Sequence, residues 1–333
     1  MVQRYKYQVE DKSLTQPFLA RYVWKPIADK LPHQLSPNVI TLIGGATVFF
    51  SIPFIWLAFQ GKGWGFLAAA FCIMLYLTAD NIDGLHARNT GQSSKKGEFL
   101  DHWLDSITTL IISLSILFAL EINGWLLATI LISIATAFFA TNWEYRHTGV
   151  FYTEHVGTNE GLLIVIFLYL ILFFFFKTPF FTYQGPTTLN AASSILYFSI
   201  FGCSVTIFKS ILRMKKHLFE FIPFLFTMSV IAAWGLTDLI SNFIMGVLIL
   251  GGGVPFCGSF LLRRLCNLKS IYRNWISLGL GSLGWVLFFL KESVDPVTVQ
   301  YVTYMTLFLI FLSLLRDLFR ALTILASKQN LKA

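Results

Sequence analysis

Apolar residues run along this chain in stretches of roughly 16 to 23, each closed by a short polar connection, and the rhythm repeats ten times. The stretches begin near Val39, Trp64, His102, Trp125, Gly161, Ala191, Phe219, Ser241, Trp275 and Val297. A helix of that length crosses the hydrocarbon of a bilayer, so the pattern predicts an all-α polytopic membrane protein with about ten transmembrane helices. Ahead of the first stretch, residues 12 to 34 set Leu14, Phe18, Leu19, Tyr22, Ile27 and Leu31 against Lys12, Arg21, Lys25 and Lys30. That alternation predicts an amino-terminal interfacial amphipathic helix, broken at Pro26. Ser36, Pro37 and Asn38 then form a polar cluster at the mouth of the first span, where Asn38 reads either as a cap alone or also as a candidate ligand group.

Composition agrees with the pattern. The 333 residues are 56% hydrophobic, 17% aromatic and only 13% charged, far from the averages of a soluble domain. Charge adds orientation: of 25 Lys and Arg, 22 fall in the two tails and in the loops after even-numbered spans. By the positive-inside rule both termini and the loop after the second span face the cytoplasm. The net charge of +8 follows from this topology. Nucleic-acid binding is excluded as a reading, because the basic residues cluster at span ends and build no separate basic face. Cys72, Cys203, Cys257 and Cys266 lack a CxxC spacing and read as small buried apolar groups. The first 38 residues contain no apolar signal-peptide core, so the first span is expected to direct insertion.

One segment conflicts with the apolar pattern. Between Asp80 and Asp105 stand Asp83, Gly84, Ala87, Arg88, Gly97 and Asp101, at the edge of two spans. Asp80 and Asp83 are three apart and Asp101 and Asp105 four apart, so on two helices each pair shares a face. The polar stretch with Gly91, Ser93 and Ser94 is long enough to turn the chain and bring those faces together. Converging carboxylates repel one another unless a cation intervenes, and hard oxygen donors favour Mg²⁺, Ca²⁺ or Mn²⁺ over zinc. Such ions bridge a pyrophosphate, and Arg88 supplies a planar donor for phosphate oxygens. Small residues at Gly84, Ala87 and Gly97 let a nucleotide approach the backbone. The combination points to phosphoryl transfer from a nucleotide-diphosphate compound. A second polar connection, Asn142 to Glu160, lies on the same side and carries Trp143, Glu144, Thr148, Gly149 and Asn159.

The Asp80 to Asp105 segment fills every position of D-x2-D-G-x2-A-R-x8-G-x3-D-x3-D, and so resembles the signature of the CDP-alcohol phosphatidyltransferase family. The resemblance implies that Asp80, Asp83 and Asp101 hold metal with Asp105 close by in the same set. It implies two Mg²⁺ or Mn²⁺ ions, with Asp105 as general base and Gly84, Ala87, Arg88 and Gly97 lining the CDP site. Further matches are similar to the choline/ethanolamine phosphotransferase branch. They are Tyr5-Lys6-Tyr7 with Asp11, Ser13 and Leu14; Ser36 to Leu42; Glu98 and His102; Trp143-Glu144 with Thr148-Gly149; and Asn159-Glu160-Gly161. His102, beside Asp101, is a candidate for assisting proton removal, and Glu144 for contacting the amino-alcohol or supporting the site. Leu85, His86, Asn89 and Trp103 depart from that branch and leave head-group preference open.

The expected organisation is an amphipathic segment at 1–38, a catalytic membrane core at 39–190 and further spans with a cytoplasmic tail at 191–333. The expected reaction uses CDP-choline or CDP-ethanolamine and diacylglycerol, releasing CMP and forming phosphatidylcholine or phosphatidylethanolamine. Two alternatives stand beside it: a CDP-diacylglycerol-dependent transferase acting on a small polar alcohol, and an ion-coupled transporter. A transporter predicts acids spread along several spans, whereas here they concentrate at one end. The resemblance also implies a homodimer, in the endoplasmic reticulum or Golgi of a eukaryote or the inner membrane of a bacterium.

Overall fold

A computed structural model describes residues 8–153, 157–185, 188–235, 240–268, 286, 289–290 and 293–330. Its long helices are α1 (Pro37–Phe59), α2 (Trp64–Thr90), α3 (Lys95–Ala119), α4 (Gly124–Thr148), α5 (Thr158–Phe175), α6 (Ala191–Arg213), α7 (Ile222–Gly235), α8 (Asn242–Cys266) and α9 (Pro296–Asn330). A 3-10 turn, Lys215–Phe221, leads directly into α7. Eight segments are long and apolar enough to cross a membrane: α1 to α6, the turn together with α7, and α8. The chain is an all-α polytopic membrane protein, and these eight match the first eight expected spans. The ninth expected span, from Trp275, lies outside the described residues, and the tenth falls on α9, which is not among the eight. Among the described residues, eight of the ten expected spans are thus helices long and apolar enough to cross a membrane.

Helix ends follow local chemistry. Pro37 occupies the first turn of α1, where its missing N–H costs no hydrogen bond. Helix α2 stops at Gly91, whose φ of 71° suits a residue without a Cβ, and Gln92 N–H reaches back to the Ala87 carbonyl. Helix α3 starts at once: Ser94 Oγ accepts the Gly97 N–H at 3.1 Å. It begins seven residues before the expected His102, because the polar turn residues continue the helix beyond the apolar stretch. The polar connection from Asn142 is likewise shorter than expected, since α4 runs on to Thr148.

The chain forms two compact units. The first comprises residues 1–120 and 149–193, with α1, α2, α3 and α5 at its centre. Within it, Gly44 of α1 sits under Ala79 of α2, and Gly45 sits under Leu104 of α3. Such small-residue seams allow helices to approach in lipid, where no hydrophobic effect drives them together. Phe66 and Tyr169 stack inside this unit at 5.9 Å, while Phe50, Trp56 and Phe71 point outward, as lipid-facing side chains do. The unit also holds a two-stranded parallel ribbon, β1 (Val9–Asp11) against β2 (Phe151–Thr153). After β1 the chain is helical from Gln16 to Ala28, and Pro26 does not break it. A π-turn over Ala20–Trp24 ends two residues before the proline, widening the backbone ahead of the position that lacks an N–H. Leu14, Phe18 and Tyr22 are exposed on this amphipathic segment, while Trp24 and Ala28 are buried.

The second unit comprises residues 121–148 and 194–333. Its aromatic core centres on Phe139 of α4, stacked on Phe224 of α7 at 4.1 Å and meeting Phe260 of α8 edge-on.

Candidate active site

Helices α2 and α3 form a hairpin across the four-residue turn Gly91–Ser94, which returns the chain so that the end of one helix faces the start of the next. Asp80 and Asp83 stand in the later part of α2, and Asp101 and Asp105 in the first turns of α3. One carboxylate oxygen from each of Asp80, Asp101 and Asp105 lies within 4.8 Å of the others. Asp83 is 4% exposed and accepts a hydrogen bond from Thr41 Oγ1 of α1. Three acids thus converge directly, and the fourth is held beside them by a third helix.

The donor set is wholly carboxylate, and Asp101 Oδ1 is buried with no hydrogen-bond partner among the described residues. An orphaned buried acceptor next to two further carboxylates is costly unless a cation or proton satisfies it. These residues therefore fit a hard divalent cation such as Mg²⁺ or Mn²⁺.

Asp105 is further organised by a hydrogen-bond chain. Tyr76 donates its hydroxyl proton to Asp105 Oδ1 at 2.7 Å, and Thr108 Oγ1 donates to the Tyr76 hydroxyl at 2.7 Å. The other oxygen, Oδ2, faces His102 Nδ1 at 3.9 Å. The buried His102 ring stacks on Phe151 of β2, with centroids 4.6 Å apart. Tyr76, Thr108 and Thr41 were not singled out in the sequence as site residues. The available signal was helical spacing: Tyr76 precedes Asp80 by four positions, and Thr108 follows Asp105 by three.

Arg88 is exposed on the face that carries Asp80 and Gly84, and a Cβ on Gly84 would stand 3.3 Å from its Nη1. Ala87 is half-buried one turn beyond Asp83. A Cβ on Gly97 would come within 2.9 Å of Asn38 Oδ1, so glycine there lets the carboxamide reach the start of α3. Glu98 is buried in the same first turn.

The amino-terminal segment is tied to this hairpin by side chains. Glu160 of α5 accepts from Ser13 Oγ at 2.6 Å, Thr15 N–H at 2.9 Å and Thr15 Oγ1 at 2.7 Å through one oxygen, and from Gly157 N–H through the other. Asn159 Oδ1 accepts from Asn81 Nδ2, next to Asp80, at 3.1 Å. Two of the positions that depart from the branch join in: His86, 1% exposed, meets the Leu35 carbonyl at 2.9 Å, and Asn89 Nδ2 donates to Asp29 at 2.9 Å. Tyr5, Lys6 and Tyr7 lie outside the described residues. Glu144 belongs to the second unit, 1% exposed, where Arg213 binds both of its oxygens and Ser210 Oγ donates to Oε2 at 2.8 Å.

Residues 34–208 match the family model of CDP-alcohol phosphatidyltransferases. Choline/ethanolaminephosphotransferase 1 of Saccharomyces cerevisiae is 36% identical over 173 residues, covering 48% of this chain and 43% of that protein. Cholinephosphotransferase 1 of the same yeast is 31% identical over 171 residues, covering 48% and 43%. Cholinephosphotransferase 1 of Gallus gallus is 29% identical over 179 residues, covering 51% and 52%. The chain thus spans about half the length of the curated relatives it matches. A family match across more than half of the chain, on a hairpin of converging aspartates between apolar helices, leads to one conclusion: this is a transferase of the CDP-alcohol phosphatidyltransferase family.

Proposed function

We propose that the protein transfers phosphocholine or phosphoethanolamine from its CDP ester to the hydroxyl of diacylglycerol, releasing CMP. The observation that carries this reading is the convergence of Asp80, Asp101 and Asp105 beside the buried Asp83, within a polytopic membrane protein of this family. The amino-alcohol is supported by the names of the relatives and by their match over the catalytic half of the chain. The signature aspartates concentrate on the one α2–α3 hairpin, which favours a transferase over a transporter with acids along a pathway.

Asp80, Asp83, Asp101 and Asp105 are the residues that would hold Mg²⁺ or Mn²⁺, as one ion or two. When bound, the metal neutralises pyrophosphate charge and stabilises the charge that develops on departing CMP. Thr41 orients the Asp83 carboxylate, as outer partners of metal ligands commonly do. Arg88, above Gly84, supplies donors to the diphosphate, and Asn38 with Ala87 and Gly97 bounds the nucleotide.

In the reaction, the acceptor hydroxyl oxygen bonds to the β-phosphorus, and the bond from that phosphorus to the bridging oxygen breaks. The hydroxyl proton passes to Asp105. Tyr76 occupies Asp105 Oδ1, so Oδ2 is the oxygen turned toward the proton, with His102 beside it to hold its orientation or to relay the proton onward. Glu144, with both oxygens engaged by Arg213 and Ser210, acts as support rather than as a direct ligand of the amino-alcohol. The excess of basic residues in the turn and tails supports an active site open to the cytoplasm, with the lipid acceptor entering from the bilayer.

The test is product identity. Purified protein in nanodiscs receives CDP-choline or CDP-ethanolamine with diacylglycerol and Mg²⁺, and in parallel CDP-diacylglycerol with glycerol phosphate or inositol. The reading predicts phospholipid and CMP only in the first arm. Product confined to the second arm replaces the reading with the CDP-diacylglycerol alternative.

A further inference from the structure

A second cluster of metal-ligating side chains lies in the second unit, on elements that contribute none of the signature aspartates. His147 ends α4, and His217 and Glu220 lie on the 3-10 turn Lys215–Phe221. One ligand atom from each lies within 4.8 Å of the other two. His147 Nε2 is 3.1 Å from Glu220 Oε2, and the rings of His147 and His217 stack with centroids 3.9 Å apart.

Local structure explains the convergence. In a 3-10 turn, residues three apart eclipse one another, so His217 and Glu220 project along the same edge. The buried Glu144 carboxylate, bound by Arg213 and Ser210, fixes the end of α6 against α4 just before that turn begins. Trp143 meets His147 edge-on and limits the ring's freedom.

We propose that His147, His217 and Glu220 form a second divalent-cation site, selective for a transition metal of the zinc class. Two imidazole nitrogens and one carboxylate oxygen suit Zn²⁺ and its neighbours, whereas Mg²⁺ prefers oxygen donors and octahedral geometry. A tetrahedral zinc with bonds of about 2.0–2.1 Å has ligand-to-ligand edges of roughly 3.4 Å. The His147 to Glu220 separation of 3.1 Å, a hydrogen bond that a bound ion replaces, is close to that edge, and the stacked His217 ring turns on binding to bring its nitrogen to the same ion. Three protein ligands leave a fourth position for water. Glu220 also lies within electrostatic reach of Arg146 and Arg263. Those guanidinium groups oppose any dication, so retention depends on the imidazole bonds, which again selects against Mg²⁺. A metal here clamps the turn before α7 to the end of α4.

The full chain in nanodiscs is stripped with chelator, exposed to Zn²⁺ in excess Mg²⁺ and desalted, and its zinc is measured. The wild type is expected to keep about one zinc per chain, and Co²⁺ in its place should give the visible absorption of a tetrahedral nitrogen and oxygen site. His217→Ala and Glu220→Gln should lose both, while Asp101→Asn should keep both. Zinc should raise the melting temperature of the wild type and leave that of His217→Ala unchanged. Absence of retained zinc and of the Co²⁺ band in the wild type overturns the proposal. So does zinc retained equally by His217→Ala and Glu220→Gln, or lost in Asp101→Asn. If a variant fails to fold, the wild-type Co²⁺ spectrum alone decides.

Discussion

At the scale of single residues, the hydrogen-bond chain from Thr108 through Tyr76 to Asp105 is the least expected element of the site. A hydrogen bond to a charged group contributes about 1.5–3 kcal/mol. Replacing Tyr76 by Phe removes the donor while keeping the ring, so Asp105 loses its fixed orientation. We predict that Tyr76→Phe lowers kcat about tenfold, with KM for the CDP ester little changed. Steady-state kinetics on the purified variant checks this, and an unchanged kcat removes Tyr76 from the site. The four aspartates were legible because charge is conspicuous among apolar neighbours. Tyr76 and Thr41 were not, because a tyrosine or threonine in an apolar span reads as packing until its hydroxyl has a partner. Leu85, His86 and Asn89 were set apart in the sequence as departures bearing on substrate choice. Of these, His86 and Asn89 hold the amino-terminal segment, through contacts some 50 to 60 positions distant in sequence that no local pattern reveals.

At the scale of elements, the α2–α3 hairpin depends on close approach at its turn. Gly97→Ala sets a methyl group 2.9 Å from Asn38 Oδ1 and 3.3 Å from Ser94 Oγ. Such overpacking costs typically about 1–3 kcal/mol. We expect a lower melting temperature and a raised KM for the nucleotide substrate, measured by thermal scan and kinetics. The amino-terminal strap makes a second prediction. Glu160 gathers Ser13 and Thr15 on one oxygen, so Glu160→Gln should loosen the segment before α1. Hydrogen exchange of residues 9–15 should rise at least about tenfold, the counterpart of losing roughly 1.4 kcal/mol of local stability. Unchanged exchange there contradicts the strap. Helix positions were well announced by hydrophobic runs, and the boundaries less so. The start of α3 moved toward the turn because Ser94 caps a helix whose first turns are polar. The amino-terminal helix passed through Pro26 because a π-turn absorbed the missing donor.

At the scale of the whole molecule, the apolar rhythm announced a polytopic helical protein, and eight of its spans are present among the described residues. The parallel ribbon of β1 and β2 was not foreseeable, since three-residue strands far apart in sequence leave no periodic signal. The bias of basic residues predicts a sidedness. In a chain lacking its native cysteines, Ser93→Cys should react with an impermeant thiol reagent only from the cytoplasmic face, and Lys177→Cys only from the opposite face. The reverse labelling pattern contradicts the proposed entry of the CDP ester from the cytoplasm. The central claim, that the converging aspartates hold a divalent cation required for transfer, is tested most directly by CMP release from CDP-choline or CDP-ethanolamine and diacylglycerol. The account predicts no release in excess chelator, recovery with Mg²⁺ or Mn²⁺, and a loss of at least about a hundredfold in Asp101→Asn, equivalent to roughly 2.7 kcal/mol or more. Release at the full rate in chelator, or a full rate from folded Asp101→Asn, contradicts it.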